Sequence, residues 1–211
     1  VSAFASGNDT ISTRYENGEF ITLCQLRVNA SPEIMSGVMD DYVYQLKYDL
    51  DKLYTWALKG LKLRKESDDL IVFNFKSTEF DEKEDIVKAI GEVIVPGIIT
   101  FPQIHVDSRL TNVQRPDGKD ILYIKMLYSD AFLKKTTGIF QMTPVNGNEC
   151  LISLVTNIKF GWFFNVFITQ SSFRKIMEWR FHKMMINVSD EAIRRSKVPK
   201  TYNKRKQNNI V

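Results

Sequence analysis

His105, Asp107 and Arg109 stand at alternate positions, and they are the one place where the chain puts an imidazole, a carboxylate and a guanidinium in step. In an extended strand, residues two apart point the same way. The trio could therefore hold a carboxylate or phosphate, and His105 with Asp107 could move a proton. An exposed polar strand face has the same pattern. The second histidine, His182, lies between Phe181 and Lys183, near the polar edge of a helical stretch. Cys24 and Cys150 are too few for a disulfide framework or a thiolate zinc site. Each sits in a strand-like run, where a thiol acts as a small apolar side chain. The chain has no His-Glu-x-x-His, no Gly-x-Ser-x-Gly and no glycine-rich phosphate loop. No catalytic residue, metal ligand or cofactor is assigned on these grounds.

Large apolar side chains are the stronger signal. The 211 residues include 14 Phe, 8 Tyr and 3 Trp, and many of them crowd the stretch from Trp162 to Ser196. No proline falls between Pro144 and Pro199, and Gly161 is the last glycine, so a helix can run far here. Phe163, Val166, Phe167, Phe173, Ile176, Met177, Phe181, Met184 and Val188 recur at helical spacing. Gln170, Arg174, Lys175, Glu178 and Lys183 take the other face. A helix of about 25–30 residues would be on the order of 40 Å long and needs a broad apolar surface to lie on.

The preceding chain supplies strands. Residues 1–18 read as a lead-in closed by Asn17-Gly18, a preferred pair for a tight hairpin turn. Phe20 to Asn29 alternates as a strand. Ser31-Pro32-Glu33 opens a helix, with Ser as cap, Pro in the first turn and an acid at the positive end. Helical spacing then continues to about Gly60, as one bent helix or two. Strands follow at Leu70–Thr78, Ile104–Gln114, Ile121–Ser129, Phe132–Thr143 and Cys150–Phe160. Arg115-Pro116-Asp117-Gly118 and Asn146-Gly147 supply two of the turns. Phe80 to Glu92 reads as a short helix or a loop, and Val93 to Ile99 as an apolar run broken by Pro96 and Gly97. Short turns between successive strands imply an antiparallel meander with one buried face.

The order strand, helices, meander and long terminal helix resembles the START-like, or Bet v 1-like, helix-grip (SRPBCC) superfamily. Three stretches carry the resemblance: Val28-Asn29-Ala30-Ser31-Pro32-Glu33 at the first helix start, the meander from about Ile104 to Phe160, and Asn157-Ile158-Lys159-Phe160-Gly161-Trp162-Phe163, where the last strand meets the long helix. The resemblance covers roughly residues 19–196 and implies an α+β fold in which a curved antiparallel sheet grips a long C-terminal helix. It also implies an apolar cavity between them and a lipid, sterol or similar hydrophobic ligand. Strand and helix alternation nominates Phe73, Phe75, Met126, Tyr128, Phe140, Phe167 and Met177 as its lining, with Tyr128 or Arg109 orienting the ligand. The expected function is non-catalytic binding or transport. An enzyme of cyclase or hydrolase type on the same scaffold, or an interaction module with a filled core, are the alternatives. In the implied fold the first strand pairs with the last, Cys24 falls opposite Thr156 or Asn157, and both thiols stay free.

The charge of +4 is uneven. Seven basic residues lie between Arg194 and Lys206 with no acid among them, leaving 22 basic and 25 acidic residues elsewhere. The basic tail, residues 197–211, is a solvated end or a contact for an anionic membrane surface; no specific nucleic-acid partner is indicated. No run approaches about 18 uninterrupted apolar residues. Ala3-Phe4-Ala5 has the small-x-small pattern that ends a secretory signal. That reading places the protein outside the cytoplasm, secreted or periplasmic; a chance match in an Ala/Ser-rich end leaves it cytoplasmic.

Overall fold

The computed structural model describes residues 9–63, 72–130, 132–166 and 168–197. The 1–8 segment, Phe167 and nearly all of the basic tail lie outside the described residues. Eight strands form one antiparallel sheet: β1 (Thr10–Glu16), β2 (Glu19–Val28), β3 (Val72–Asp81), β4 (Ile86–Val95), β5 (Ile99–Gln114), β6 (Asp120–Ser129), β7 (Leu133–Asn146) and β8 (Glu149–Phe160). Their order is β1-β2-β8-β7-β6-β5-β4-β3. Helices α1 (Pro32–Tyr48) and α2 (Leu50–Thr55) link β2 to β3. After β8 come a single 3-10 turn (Phe164–Val166), α3 (Gln170–Phe173), a π turn (Arg174–Glu178) and α4 (Trp179–Ser196). The last three run together as one helix, and it lies on the inner face of the sheet.

The alternation that marks the strands has a direct outcome in β2 and β8. Phe20, Thr22, Cys24, Leu26 and Val28 are buried, as are Cys150, Ile152, Leu154, Thr156, Ile158 and Phe160. These two strands pair from Val28 opposite Cys150 to Phe20 opposite Ile158. The pairing is the expected one, but the register is shifted: Cys24 faces Leu154 rather than Thr156 or Asn157. Cys150 is then four residues along the ladder, about 14 Å away. Both thiols are free and buried.

Ser31 caps α1 by accepting from the Ile34 amide at 3.4 Å. Asp49 breaks the helix and caps α2 through the Lys52 amide at 3.1 Å, so the region is two helices. Asn17 and Gly18 both take positive φ, 54° and 77°, as a tight hairpin turn demands. That turn has a partner the sequence reading missed, since residues 10–16 of the lead-in form β1 against β2. The stretch from Phe80 to Glu92 is neither helix nor loop. It is the β3–β4 hairpin, with its acids gathered at the turn and β4 paired on both sides.

Candidate functional site

Two hydrophobic cores share the space between sheet and helices. The larger packs α1 and α4 against β2, β7 and β8 and is filled by Met35, Val38, Met39, Leu122, Phe140, Met185 and Val188. The smaller is aromatic and gathers Phe20, Phe132, Phe160, Phe164 and Phe173 with Val93, Val95 and Ile104. Beside this second core lies a cavity of about 260 Å³.

The cavity is made by residue size along β4. Its inward side chains run Val87, Ala89, Gly91, Val93 and Val95. Val87, Val93 and Val95 are buried in the cores, while Ala89 and Gly91 line the hollow. Ala89 pairs with Val106 and Gly91 with Ile104, which extend the wall on β5. Phe73 and Phe75 form the wall on β3, and Phe132, Leu133, Ile158 and Phe160 close one end. The floor on the long helix is Met177 and Arg180. Rings that meet edge-on or tilted, such as Phe73 with Phe132 at 5.5 Å and Phe132 with Phe160 at 5.5 Å, hold one another apart.

The wall is almost entirely carbon, and the polar residues along it are few: Asn74, Glu92, Thr136 and Arg180. Asn74 Nδ2 donates to Glu92 Oε2 at 2.9 Å across the β3–β4 pair. Arg180 is 4% exposed. Its Nε donates to the Leu61 carbonyl at 3.0 Å and its Nη2 to the Lys62 carbonyl at 3.4 Å. Its guanidinium also stands 5.2 Å from the Phe73 ring centre. Asn187 adds bonds to the Ala57 and Lys59 carbonyls. The helix thus pins the segment after α2, which reaches the cavity margin at Leu63.

Three of the nominated residues, Phe73, Phe75 and Met177, line the cavity. Phe140 points inward but belongs to the filled core, where Tyr42 of α1 meets its ring at 6.1 Å. Met126 is inward and half-buried beside Ser108, outside the cavity wall. Tyr128 is turned away from the cavity. The β5–β6 register slips at Leu127, and the extra residue rotates Tyr128 to the outer face, where it is 53% exposed. Arg109 also lies outside and donates to the Glu84 carbonyl at 3.2 Å. Phe167 is outside the described residues. Gly91, Val106 and Arg180 were not nominated. The readable signal was the small pair Ala89 and Gly91 at alternate positions in a Val/Ile strand.

His105 and Asp107 remain on the outer face with Arg109. His105 is engaged by Asp130, whose Oδ2 accepts from its amide at 2.7 Å and stands 3.1 Å from its Nδ1. The His105 amide, followed by Tyr128 and the imidazole, holds the Asp130 carboxyl below its ordinary range. His182 is buried at 4% exposure rather than set at a polar edge, with its Nε2 3.9 Å from Asp9. Burial pushes its pKa down, and Asp9 acts in the opposite sense. Among the described residues, no three His, Cys, Asp or Glu side chains converge as a metal site.

No family profile matches the chain in sequence, and no curated protein does. Solved structures match it in shape. The Zhui aromatase/cyclase from Streptomyces sp. R1128 aligns at TM-score 0.53 and 12% identity, over 84% of this chain and 95% of that one. This chain has a helix-grip, START-like fold. A conserved protein from Geobacillus kaustophilus aligns with this START-like chain at TM-score 0.53 and 14% identity, covering 82% and 95% of the two chains. A START superfamily protein from Mycobacterium smegmatis aligns at TM-score 0.48 and 9% identity over 82% and 97%, too distantly to carry an argument.

Proposed function

We propose that the protein binds or carries a hydrophobic small molecule, a lipid, sterol or similar compound, without changing it chemically. The observation that carries this reading is the carbon-walled cavity of about 260 Å³ between the sheet and the long helix. Burial of ligand surface there is favourable by about 25 cal/mol per Å². The volume lies just below the usual range for ligand pockets, which favours a compact ligand or one that leaves part of itself outside the cavity. A cavity of this size also weighs against a module with a solid core.

An enzyme is the second reading, favoured by Arg180 on the cavity floor and by the aromatase/cyclase name of one structural neighbour. The pair His105 and Asp107 gives it no support, because it faces away from the cavity. Native mass spectrometry of the purified protein, followed by titration with a fluorescent fatty acid and a fluorescent sterol, tests the proposal. The expected result is one apolar molecule bound per chain, released unchanged, and lost in Ala89→Phe. An Ala89→Phe variant that binds as well as the parent places the ligand elsewhere. Recovery of a converted product turns the assignment to the enzyme.

A further inference from the structure

Two loops that meet at one end of the described structure lie in stretches of chain without charge. From Val93 to Ile104 there is neither acid nor base, and from Phe160 to Phe173 there is none either, although 26% of the chain is charged. The fold brings these two stretches together. Phe101 packs on Phe163 at 5.9 Å and on Phe164 at 5.1 Å. The side chains these contacts leave outside are large and apolar. Trp162 is 82% exposed, Val166 70% and Ile98 59%. Three such groups at the tips of two adjacent loops are a concentration of water-exposed apolar surface.

We propose that this end, formed by the 96–101 turn and the 161–166 segment, docks on a lipid bilayer. Three observations select a bilayer as the occupant. A tip without charge can enter the acyl boundary without stripping water from an ion. A tryptophan at its edge is the side chain suited to the headgroup level, with an apolar ring and one N–H donor. Lysines border the tip. Lys134 shares a surface groove with Trp162, and Lys76 reaches the Pro102 carbonyl at 2.9 Å. Long basic stems beside an apolar tip keep their charge among the headgroups while the tip goes deeper. The acid in the same groove, Asp130, is engaged by His105 and Tyr128.

The tip also continues into the interior. Trp162 meets Phe163, Phe163 meets Phe164, and Phe164 meets Phe132 at 4.8 Å. Phe132 is cavity wall. A docked tip places the aromatic end of the cavity against the acyl layer, so an apolar ligand can cross without entering bulk water. This exchange route rests on the proposed ligand binding; the docking does not.

The test uses the full chain with vesicles of phosphatidylcholine alone and with added phosphatidylglycerol, and reads co-sedimentation and tryptophan quenching by brominated acyl chains. At about 0.5 M salt, attraction between the basic tail and lipid is largely screened, so binding that remains reports the tip. The parent should bind in both mixtures and show quenched emission. The triple variant Ile98→Ser, Trp162→Ala, Val166→Ser should bind at least about tenfold more weakly, because each lost side chain removes apolar burial. Its melting temperature should be unchanged, since these side chains are exposed. Trp162→Phe should keep most of the binding and lose most of the quenching. Ala89→Phe should dock like the parent even where it fails to bind a small ligand, which separates failure of the docking from failure of the cavity reading. A parent that leaves the vesicles unbound at high salt, a triple variant that binds like the parent, or a solution dimer that the triple variant dissociates overturns the proposal.

Discussion

The two cores are built on one sheet and beneath one helix, yet one is filled and the other is hollow. Under the C-terminal half of the long helix, α1 adds a second layer. Flexible methionines (Met35, Met39 and Met185) and small residues such as Ala192 fill the gaps there. Under the N-terminal half no second helix among the described residues covers the sheet. Phe20 stacks flat on Phe173, but the rings nearer the cavity meet tilted or edge-on, and β4 offers Ala89 and Gly91 where a filled core would have valines. The π turn Arg174–Glu178 falls within this half of the helix, and such turns recur at functional sites. Filling here follows from layer count and side-chain flexibility more than from total hydrophobicity.

The largest expected effect comes from truncating one methionine in each region. Met185→Ala in the filled core should cost about 2–5 kcal/mol in urea unfolding. Met177→Ala should cost about 1 kcal/mol or less, since that side chain already borders open volume. Equal losses would remove the distinction between the two cores. The converse experiment adds volume. Val38→Phe should cost about 1–3 kcal/mol through overpacking, whereas Ala89→Phe should hold or raise the melting temperature, because its ring enters space already present. A clear loss at both positions would mean that the hollow is too narrow for a ring.

A smaller effect is expected with pH. Burial depresses the pKa of His182 below its ordinary 6.5. The unfolded chain therefore binds more protons than the folded one as pH falls through 6.5, and stability drops in that direction. At pH 8 the group is neutral in both states and the contribution is fully present. Urea midpoints measured between pH 8 and pH 5 should fall with acid, and less steeply in His182→Gln. The same slope in both proteins would remove His182 as the cause. The smallest effect is on reactivity, with no change in stability. Burial raises the Cys24 thiol to about 12 and the Cys150 thiol to about 11. The native protein should resist a thiol reagent at pH 8, while the unreduced, denatured chain should titrate two thiols. Rapid native labelling at either position would show that the filled core opens easily.

Much of the fold was legible because its signals are local. Ser31-Pro32-Glu33 starts α1, Asn17-Gly18 and Asn146-Gly147 turn hairpins, and β8 alternates along its whole length. The losses came where one residue changes the phase. The extra residue at Leu127 moved Tyr128 outside, and no propensity announces such a bulge. The wider turn at Arg174–Glu178 rotates the helix after it, so Arg180, Met185 and Ala192 are buried, and Phe181 and Met184 are only partly buried. Val166 precedes that helix and is exposed. The β3–β4 hairpin was hidden by charge, since Lys88 and Glu92 alternate with Val87, Ala89 and Gly91 across a two-sided strand. Phe140 was given the right face and the wrong end, because only the path of α1 decides which part of the sheet is covered.

Ala89 and Gly91 differ in how freely they can vary. A methyl group on residue 91 would come within 3.2 Å of the Asn74 carbonyl on the neighbouring strand, so any side chain there presses on β3, which sits at the edge of the sheet. Gly91 is thus tied to the seating of an edge strand and is poorly suited to adjustment. Ala89 already carries its methyl into open volume and can grow or shrink without disturbing strand pairing. If the cavity holds a ligand as proposed, the size of guest accepted in a lineage of such chains can drift through residue 89 alone, while residue 91 stays fixed by the architecture around it.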